Sequence, residues 1–141
     1  MSQLGLILQA RTGSTRMPEK VIRPFFRGKS ILDLLVEKVQ KLGVPAVLAT
    51  TVNPSDDRIA ELAARHNFPV FRGSENDVLD RFVQAARQFK FDKIIRVCAD
   101  NPFLDLAGMR ILIDAFENSD ADYLGFQLAG NKPSILTHFG F

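Results

Sequence analysis

The chain has 141 residues, of which 46% are hydrophobic and 24% charged, with a formal net charge of +2. That composition suits one globular domain with a sizeable core and excludes a disordered, collagen-like or multidomain chain. No apolar run approaches the ~18 residues of a membrane span and Met1-Ser2-Gln3 is no signal peptide, so a cytoplasmic protein is expected.

The single cysteine, Cys98, excludes an internal disulfide, and with only His66 and His138 beside it there is no structural zinc set. Cys98 itself reads as a small core residue. The charge is unevenly spread. Arg11, Arg16, Lys20, Arg23, Arg27 and Lys29 face one acid, Glu19, across residues 11–29, while most acids follow residue 50. This points to an anionic partner near the first loop, with a solvated basic face as the plainer alternative.

Leu4-Gly5-Leu6-Ile7-Leu8 reads as a buried strand that feeds a polar loop. From Ser30 the apolar spacing turns helical through Ile31, Leu32, Leu35, Val39 and Leu42, with Ser30 and Asp33 as a capping box and Gly43 as the stop. Ala46–Thr51 is the next strand. Ser55 is placed to cap a second helix, with Asp56 and Asp57 in its first turn and Ile59, Leu62, Ala63 and His66 down one side. Pro69-Val70-Phe71 is a brief strand. Asp77 caps a helix bearing Val78, Leu79, Phe82, Ala86 and Phe89, and Lys93–Cys98 is a further strand. A helix with Met109, Leu112, Ile113 and Phe116 follows, then a strand near Asp122 to Phe126. Apolar strands alternating with helices predict an α/β, doubly wound, mostly parallel sheet covered on both faces, forming one domain over residues 1–141.

Open parallel sheets bind ligands where loops leave the carboxyl ends of the strands. The loop from Gln9 to Lys20 brings Gly13 for close backbone approach, the hydroxyls of Ser14 and Thr15, and the cations Arg11, Arg16 and Lys20, a set able to cradle a triphosphate. It is neither a dinucleotide fingerprint nor a Walker A loop. Asp100, just after the Lys93–Cys98 strand, is suited to a Mg²⁺ that bridges phosphate oxygens, although Asp-Asn-Pro is also a common turn. Phe25-Phe26 between Arg23 and Arg27 is the one basic-aromatic patch expected at the surface.

Leu8 to Lys20 (LQARTGSTRMPEK), Phe71 to Arg81 (FRGSENDVLDR) and Arg96 to Pro102 (RVCADNP) together resemble the cytidylyltransferase family of spore coat polysaccharide biosynthesis proteins, related to the CMP-KDO and acylneuraminate cytidylyltransferases. The resemblance implies a nucleotide-diphospho-sugar transferase fold of the glycosyltransferase-A type that joins CTP to a sugar and releases pyrophosphate. It implies phosphate contacts from Arg11 and Lys20, base and ribose contacts around Leu8, Gln9 and Ala10 and from Arg72, Gly73 and Ser74, and Mg²⁺ on Asp100. Gly13 and Ser14 belong to the same nucleotide loop, and Asp77 and Arg81 order the second loop or serve only as a helix cap and a surface charge. It implies CTP and a sugar as partners rather than nucleic acid or membrane, and a homodimer through a C-terminal portion. Two departures stand out. Glu19 occupies a position where the family usually has glycine, and the family's chains run well beyond this length, so a C-terminally truncated, N-terminal nucleotide-binding part is expected. A non-catalytic nucleotide- or sugar-phosphate-binding module is the alternative reading.

Overall fold

The computed structural model describes residues 3–13, 17, 19–100 and 102–125, together with the backbone of 127–128 and 132–133. In chain order these form β1 (Leu4–Gln9), the hairpin β2 (Pro24–Phe26) and β3 (Lys29–Ser30), α1 (Ile31–Gln40), β4 (Ala46–Thr51) and α2 (Asp57–Arg65). Then come β5 (Val70–Gly73), α3 (Val78–Phe89), β6 (Lys93–Cys98), α4 (Leu106–Glu117) and the two-residue β7 (Gln127–Leu128) and β8 (Lys132–Pro133).

β1, β4, β5 and β6 make a parallel sheet in the order β5-β4-β1-β6. Side chains alternate across it. Leu4, Leu6 and Leu8 enter the larger core with α1, α2 and α4, whereas Ile7 joins Phe82, Ala85 and Ala86 of α3 on the other face. Burial on both faces is why the inner strands β1 and β4 read as largely apolar runs, whereas the edge strands β5 and β6 carry Arg72, Lys93 and Arg96; the parallel sheet, layered by helices, is the architecture expected from the sequence. The chain steps from β1 outward to β4 and β5, then returns to the opposite side of β1 as β6. The topological switch point therefore lies between β1 and β6.

Gly5 makes room over this central strand for Phe91, two residues past the end of α3. A Cβ there would sit 2.2 Å from ring carbons of Phe91, itself buried and stacked at a tilt 6.0 Å from Phe89. Gly5→Ala is expected to cost about 2 kcal/mol or more, because the new methyl would force the buried Phe91 ring out of its place. A lowered urea midpoint at unchanged slope would register it, and pairing the change with Phe91→Leu should recover part of the loss.

The helix caps follow the sequence closely, with one exception. Ser30 Oγ accepts from the Asp33 N–H at 3.1 Å while Asp33 Oδ2 accepts from the Ser30 N–H at 2.8 Å, and Asp77 Oδ1 accepts from the Asp80 N–H at 2.8 Å. Asp33 also takes His66 Nε2 at 2.7 Å, which ties the end of α2 to the start of α1. Burial pushes the Asp33 carboxyl up, but hydrogen bonds from His66 and Ser30 outweigh it and hold the group below its ordinary value. The exception is Ser55, which does not cap α2. It lies exposed in a 3₁₀ turn over Pro54–Asp56 that Asn53 caps, and α2 begins at Asp57. Nor do residues 121–125 form a strand: Tyr123 is 85% exposed and no strand among the described residues pairs with the segment, while Phe126 lies outside them.

Candidate functional site

The cleft opens at the switch point. Ala10 N–H donates to Ala49 O at 3.1 Å and Ala99 N–H donates to Gln9 O at 2.9 Å, so the chain leaves β1 and β6 side by side before the two loops diverge. Between them is a cavity of about 500 Å³ lined by Gln9, Ala10, Arg11, Gly13, Met17, Lys20, Val21, Cys98, Ala99 and Asp100. Arg11 and Asp100 are exposed and Lys20 is half-buried. Two cations and a carboxylate, distant in sequence, thus share one concave surface. On the β6 side, Lys38 Nζ of α1 donates to Pro102 O and Leu104 O, both at 3.1 Å, and fixes the segment just past Asp100.

The loop after β1 is held from beneath by Asp56, which sequence reasoning placed in the first turn of a helix. Its side chain is buried. Oδ1 accepts from the Thr12 N–H at 2.8 Å and the Thr12 hydroxyl at 2.7 Å, and Oδ2 accepts a short bond from the Thr51 hydroxyl. Burial raises the Asp56 pKa, yet the bonds from Thr51 and Thr12 outweigh it and leave the carboxyl below its ordinary value. The available signal was a pair of threonines, Thr51 at the end of β4 and Thr12 in the loop three residues past the adjacent β1, whose hydroxyls need a buried acceptor.

Glu19 has φ 58 and ψ 18, left-handed backbone that glycine adopts without cost. Its carboxylate turns away to Arg58 Nη1 at 2.6 Å, an exposed pair. Glu19→Gly removes both the steric cost and a weak ion pair, so stability should change by less than about 1 kcal/mol. The same change deletes a negative charge next to Lys20 and releases Arg58, so triphosphate affinity at low salt should rise by about two- to fivefold, measurable by calorimetric titration.

Arg72, Gly73 and Ser74 lie at the end of β5, separated from the cleft strands by β4. The Arg72 guanidinium is spent on the β4–α2 connection: Nε donates to Thr51 O at 2.9 Å, Nη2 to Asn53 O at 2.9 Å, and Nη1 pairs with Asp57 Oδ1 at 2.6 Å. Behind it, Arg81 of α3 is fully buried, and its Nη1 donates to Ser74 O at 2.6 Å. Its Cγ would lie 3.1 Å from a Cβ on Gly73, so only a residue without a side chain packs easily there. Burial and the charge of Arg11 lower the Arg81 pKa, partly offset by Asp56.

The structure thus brings Gln9, Ala10, Arg11, Gly13, Lys20 and Asp100 together and leaves Arg72, Gly73 and Ser74 at the neighbouring edge. Leu8 is wholly buried in the core and can offer a ligand only backbone, and Ser14 lies outside the described residues. Cys98 is half-buried on the cleft wall. Among the described residues no three acidic, histidine or cysteine side chains gather as a metal cage. Phe25 and Phe26 are exposed as expected, with Arg27 5.2 Å from the Phe26 ring centre.

Residues 6–135 match the family model described as cytidylyltransferase. The chain belongs to the cytidylyltransferase family. It is 40% identical over 129 residues to the spore coat polysaccharide biosynthesis protein SpsF of Bacillus subtilis, covering 87% of this chain and 53% of that one. Among solved structures, a cytidylyltransferase from Leptospira borgpetersenii superposes with a TM-score of 0.80 at 33% identity, over 86% of this chain and 51% of that one. A CMP:2-keto-3-deoxy-manno-octonic acid synthetase complexed with CTP shares the fold at a TM-score of 0.71 and 20% identity, over 85% of this chain and 49% of that one. The cytidylyltransferase chain described here therefore spans about half the length of the relatives it matches. Among its described residues no helix is long and apolar enough to cross a membrane.

Proposed function

We propose that this chain carries the CTP-binding part of a sugar cytidylyltransferase that forms a CMP-activated sugar and releases pyrophosphate. The observation that carries the reading is the convergence of Arg11, Lys20 and Asp100 on one cleft at the β1–β6 switch point. In that reaction a sugar oxygen attacks the α-phosphorus, a new P–O bond forms, and the bond to the β-phosphate breaks. What such a transfer needs from protein is positioning and relief of the charge that grows on the departing pyrophosphate. Arg11 would grip phosphate oxygens through its planar fork and Lys20 would act as a point charge. Gly13 would let the loop backbone close on the phosphates, and the backbone of Leu8 to Ala10, with Arg72 to Ser74 at the adjacent edge, would bound the base and ribose. Ser14 would add a hydroxyl.

Asp100 is the residue to hold Mg²⁺. A single exposed carboxylate on a cleft wall fits this ion, which keeps several waters and takes one or two carboxylates alongside substrate phosphates. Bound there, the ion supplies charge neutralisation across the phosphates. A place in surface or spore coat polysaccharide synthesis is supported by the name of the Bacillus subtilis relative, and a cytoplasmic homodimer acting there belongs to the same proposal.

Calorimetric titration with CTP, UTP, ATP and GTP, each with and without Mg²⁺, tests the proposal. CTP should bind most tightly and need Mg²⁺, and Asp100→Asn should remove most of the Mg²⁺ dependence while leaving weak metal-free binding. Equal or absent binding of all four nucleotides would overturn the reading and favour a sugar-phosphate module without transfer activity.

A further inference from the structure

The Asp100 carboxylate is exposed, so the place where it stands is set by the backbone on either side of it. On one side Ala99 is buried and its N–H donates to Gln9 O at 2.9 Å. On the other side the chain crosses from β6 to α4, where Asp105 caps the helix by accepting the Ala107 N–H at 3.1 Å. Between these anchors the Pro102 and Leu104 carbonyls turn toward α1, and Lys38 Nζ donates to both at 3.1 Å. One ammonium, 64 and 66 residues away in sequence, thus ties down the turn that follows Asp100.

Lys38 is not an ordinary surface lysine. It is half-buried, and none of the ion pairs among the described residues includes it; the neighbouring Glu37 pairs with Lys29 at 2.6 Å. Desolvating an ammonium with no carboxylate to meet it is costly, and carbonyl dipoles recover only part of that cost. What the ammonium adds at this place is several donors on a long stem, able to gather two carbonyls at once. The helix that carries it also braces the opposite wall of the cleft. Val21, next to Lys20, is buried in the same core as Leu32, Leu35 and Val39 of α1. Both walls therefore rest on one helix, the Lys20 wall through apolar packing and the Asp100 wall through Lys38.

We propose that Lys38 is a positioning residue for the metal: by holding Pro102 O and Leu104 O it sets where the Asp100 carboxylate stands, and so the geometry in which Mg²⁺ is held. This rests on the reading of Asp100 above and adds the group that fixes its place. Mg²⁺ demands near-octahedral ligands at about 2.0–2.1 Å, so a carboxylate that drifts loses it, whereas Ca²⁺ accepts looser arrangements at about 2.3–2.6 Å. The sign of the effect separates position from charge. Removing a cation near a metal site favours any divalent ion, so a purely electrostatic Lys38 predicts tighter metal binding in Lys38→Met. Loss of position predicts the opposite, and for Mg²⁺ more than for Ca²⁺.

The test titrates the full chain, wild type and Lys38→Met, with CTP by calorimetry, without metal, with Mg²⁺ and with Ca²⁺. The quantity read is the gain in CTP affinity that each ion brings over metal-free binding. In Lys38→Met the Mg²⁺ gain should fall by about tenfold or more, the scale of losing a support behind a metal ligand. The Ca²⁺ gain and the metal-free affinity should each stay within about threefold of wild type. A Mg²⁺ gain that is unchanged or larger overturns the proposal and leaves the Asp100 reading standing. So does a fall that the Ca²⁺ gain or the metal-free affinity shares equally, which marks a general defect of the cleft. A wild-type chain whose CTP affinity does not rise with Mg²⁺ overturns both. Should Lys38→Met not fold, Lys38→Gln carries the test: its shorter amide holds the carbonyls less well, so the Mg²⁺ gain should fall by more than about threefold, and an unchanged gain overturns the proposal.

Discussion

Lys20→Met is expected to weaken binding of CTP with Mg²⁺ by about 30- to 100-fold, the scale of one lost charge-assisted contact. Lys20 opens the 3₁₀ turn Lys20–Ile22, which is closed by Ile22 N–H to Glu19 O at 3.0 Å and Arg23 N–H to Glu19 O at 3.1 Å. Lys20 thus starts from a hydrogen-bonded turn, and methionine fills a similar volume without the charge. The loss should be largest at low ionic strength and shrink as salt screens the phosphates, whereas a folding defect would not follow that dependence. Titration at two salt concentrations separates the cases. Binding within threefold of wild type at low salt would remove Lys20 from the phosphate site.

Asp56→Ala should cost about 3 kcal/mol or more and loosen the nucleotide loop as well. The carboxylate accepts from the Thr12 N–H and hydroxyl and the Thr51 hydroxyl; hydrogen bonds to a charged group are each worth about 1.5–3 kcal/mol, and removing the acceptor strands a buried Thr12 N–H. Thr12 lies between Arg11 and Gly13, and its carbonyl accepts the Glu19 N–H at 3.2 Å, so Asp56 anchors the base of the whole loop. Urea unfolding reads the stability loss, and CTP titration below the new transition reads the loosened site. The pH dependence has a definite sign. The folded pKa of Asp56 lies below the 3.8 of an unperturbed group, so its contribution is complete above about pH 3.8 and fades as pH falls through the lower, folded value. Asp33, depressed in the same direction, adds to that acid limb. Asp56→Asn should flatten the limb, and unfolding curves measured from neutral pH to below pH 4 would show it.

Local signals carried much of the architecture. The apolar run of β1, the capping box at Ser30 and the Asp77 cap each depend on residues within a few positions of one another, and periodicity exposes such short-range patterns. Likewise, the rule that ligands sit at strand carboxyl ends led to the Gln9–Lys20 and Ala99–Pro102 loops. The site's scaffolding was hidden because its contacts are long-range. Asp56 reads locally as a helix-start acid, and only the adjacency of β1 and β4 brings it to Thr12. Arg81 sits beside Phe82 in an amphipathic helix, where a charged residue reads as solvent-facing; in the fold it shares the buried face. Arg72 bonds to carbonyls and a carboxylate that no local pattern announces. The alternation through Tyr123 and Leu124 imitates a strand, but a strand also requires a neighbour, which a one-dimensional pattern does not reveal.

The central position of β1 has a consequence for how the chain acquires its fold. Made before the other three strands of its sheet, this strand must wait for Ala46–Thr51 before one edge is paired, and for Lys93–Cys98 before the other is. Until then an aliphatic segment with open edges is available to any sticky surface in the cell. Its closure involves distant segments, which places the molecule among slow-folding topologies and makes nascent-chain shielding by chaperones most valuable over the interval between those two pairings.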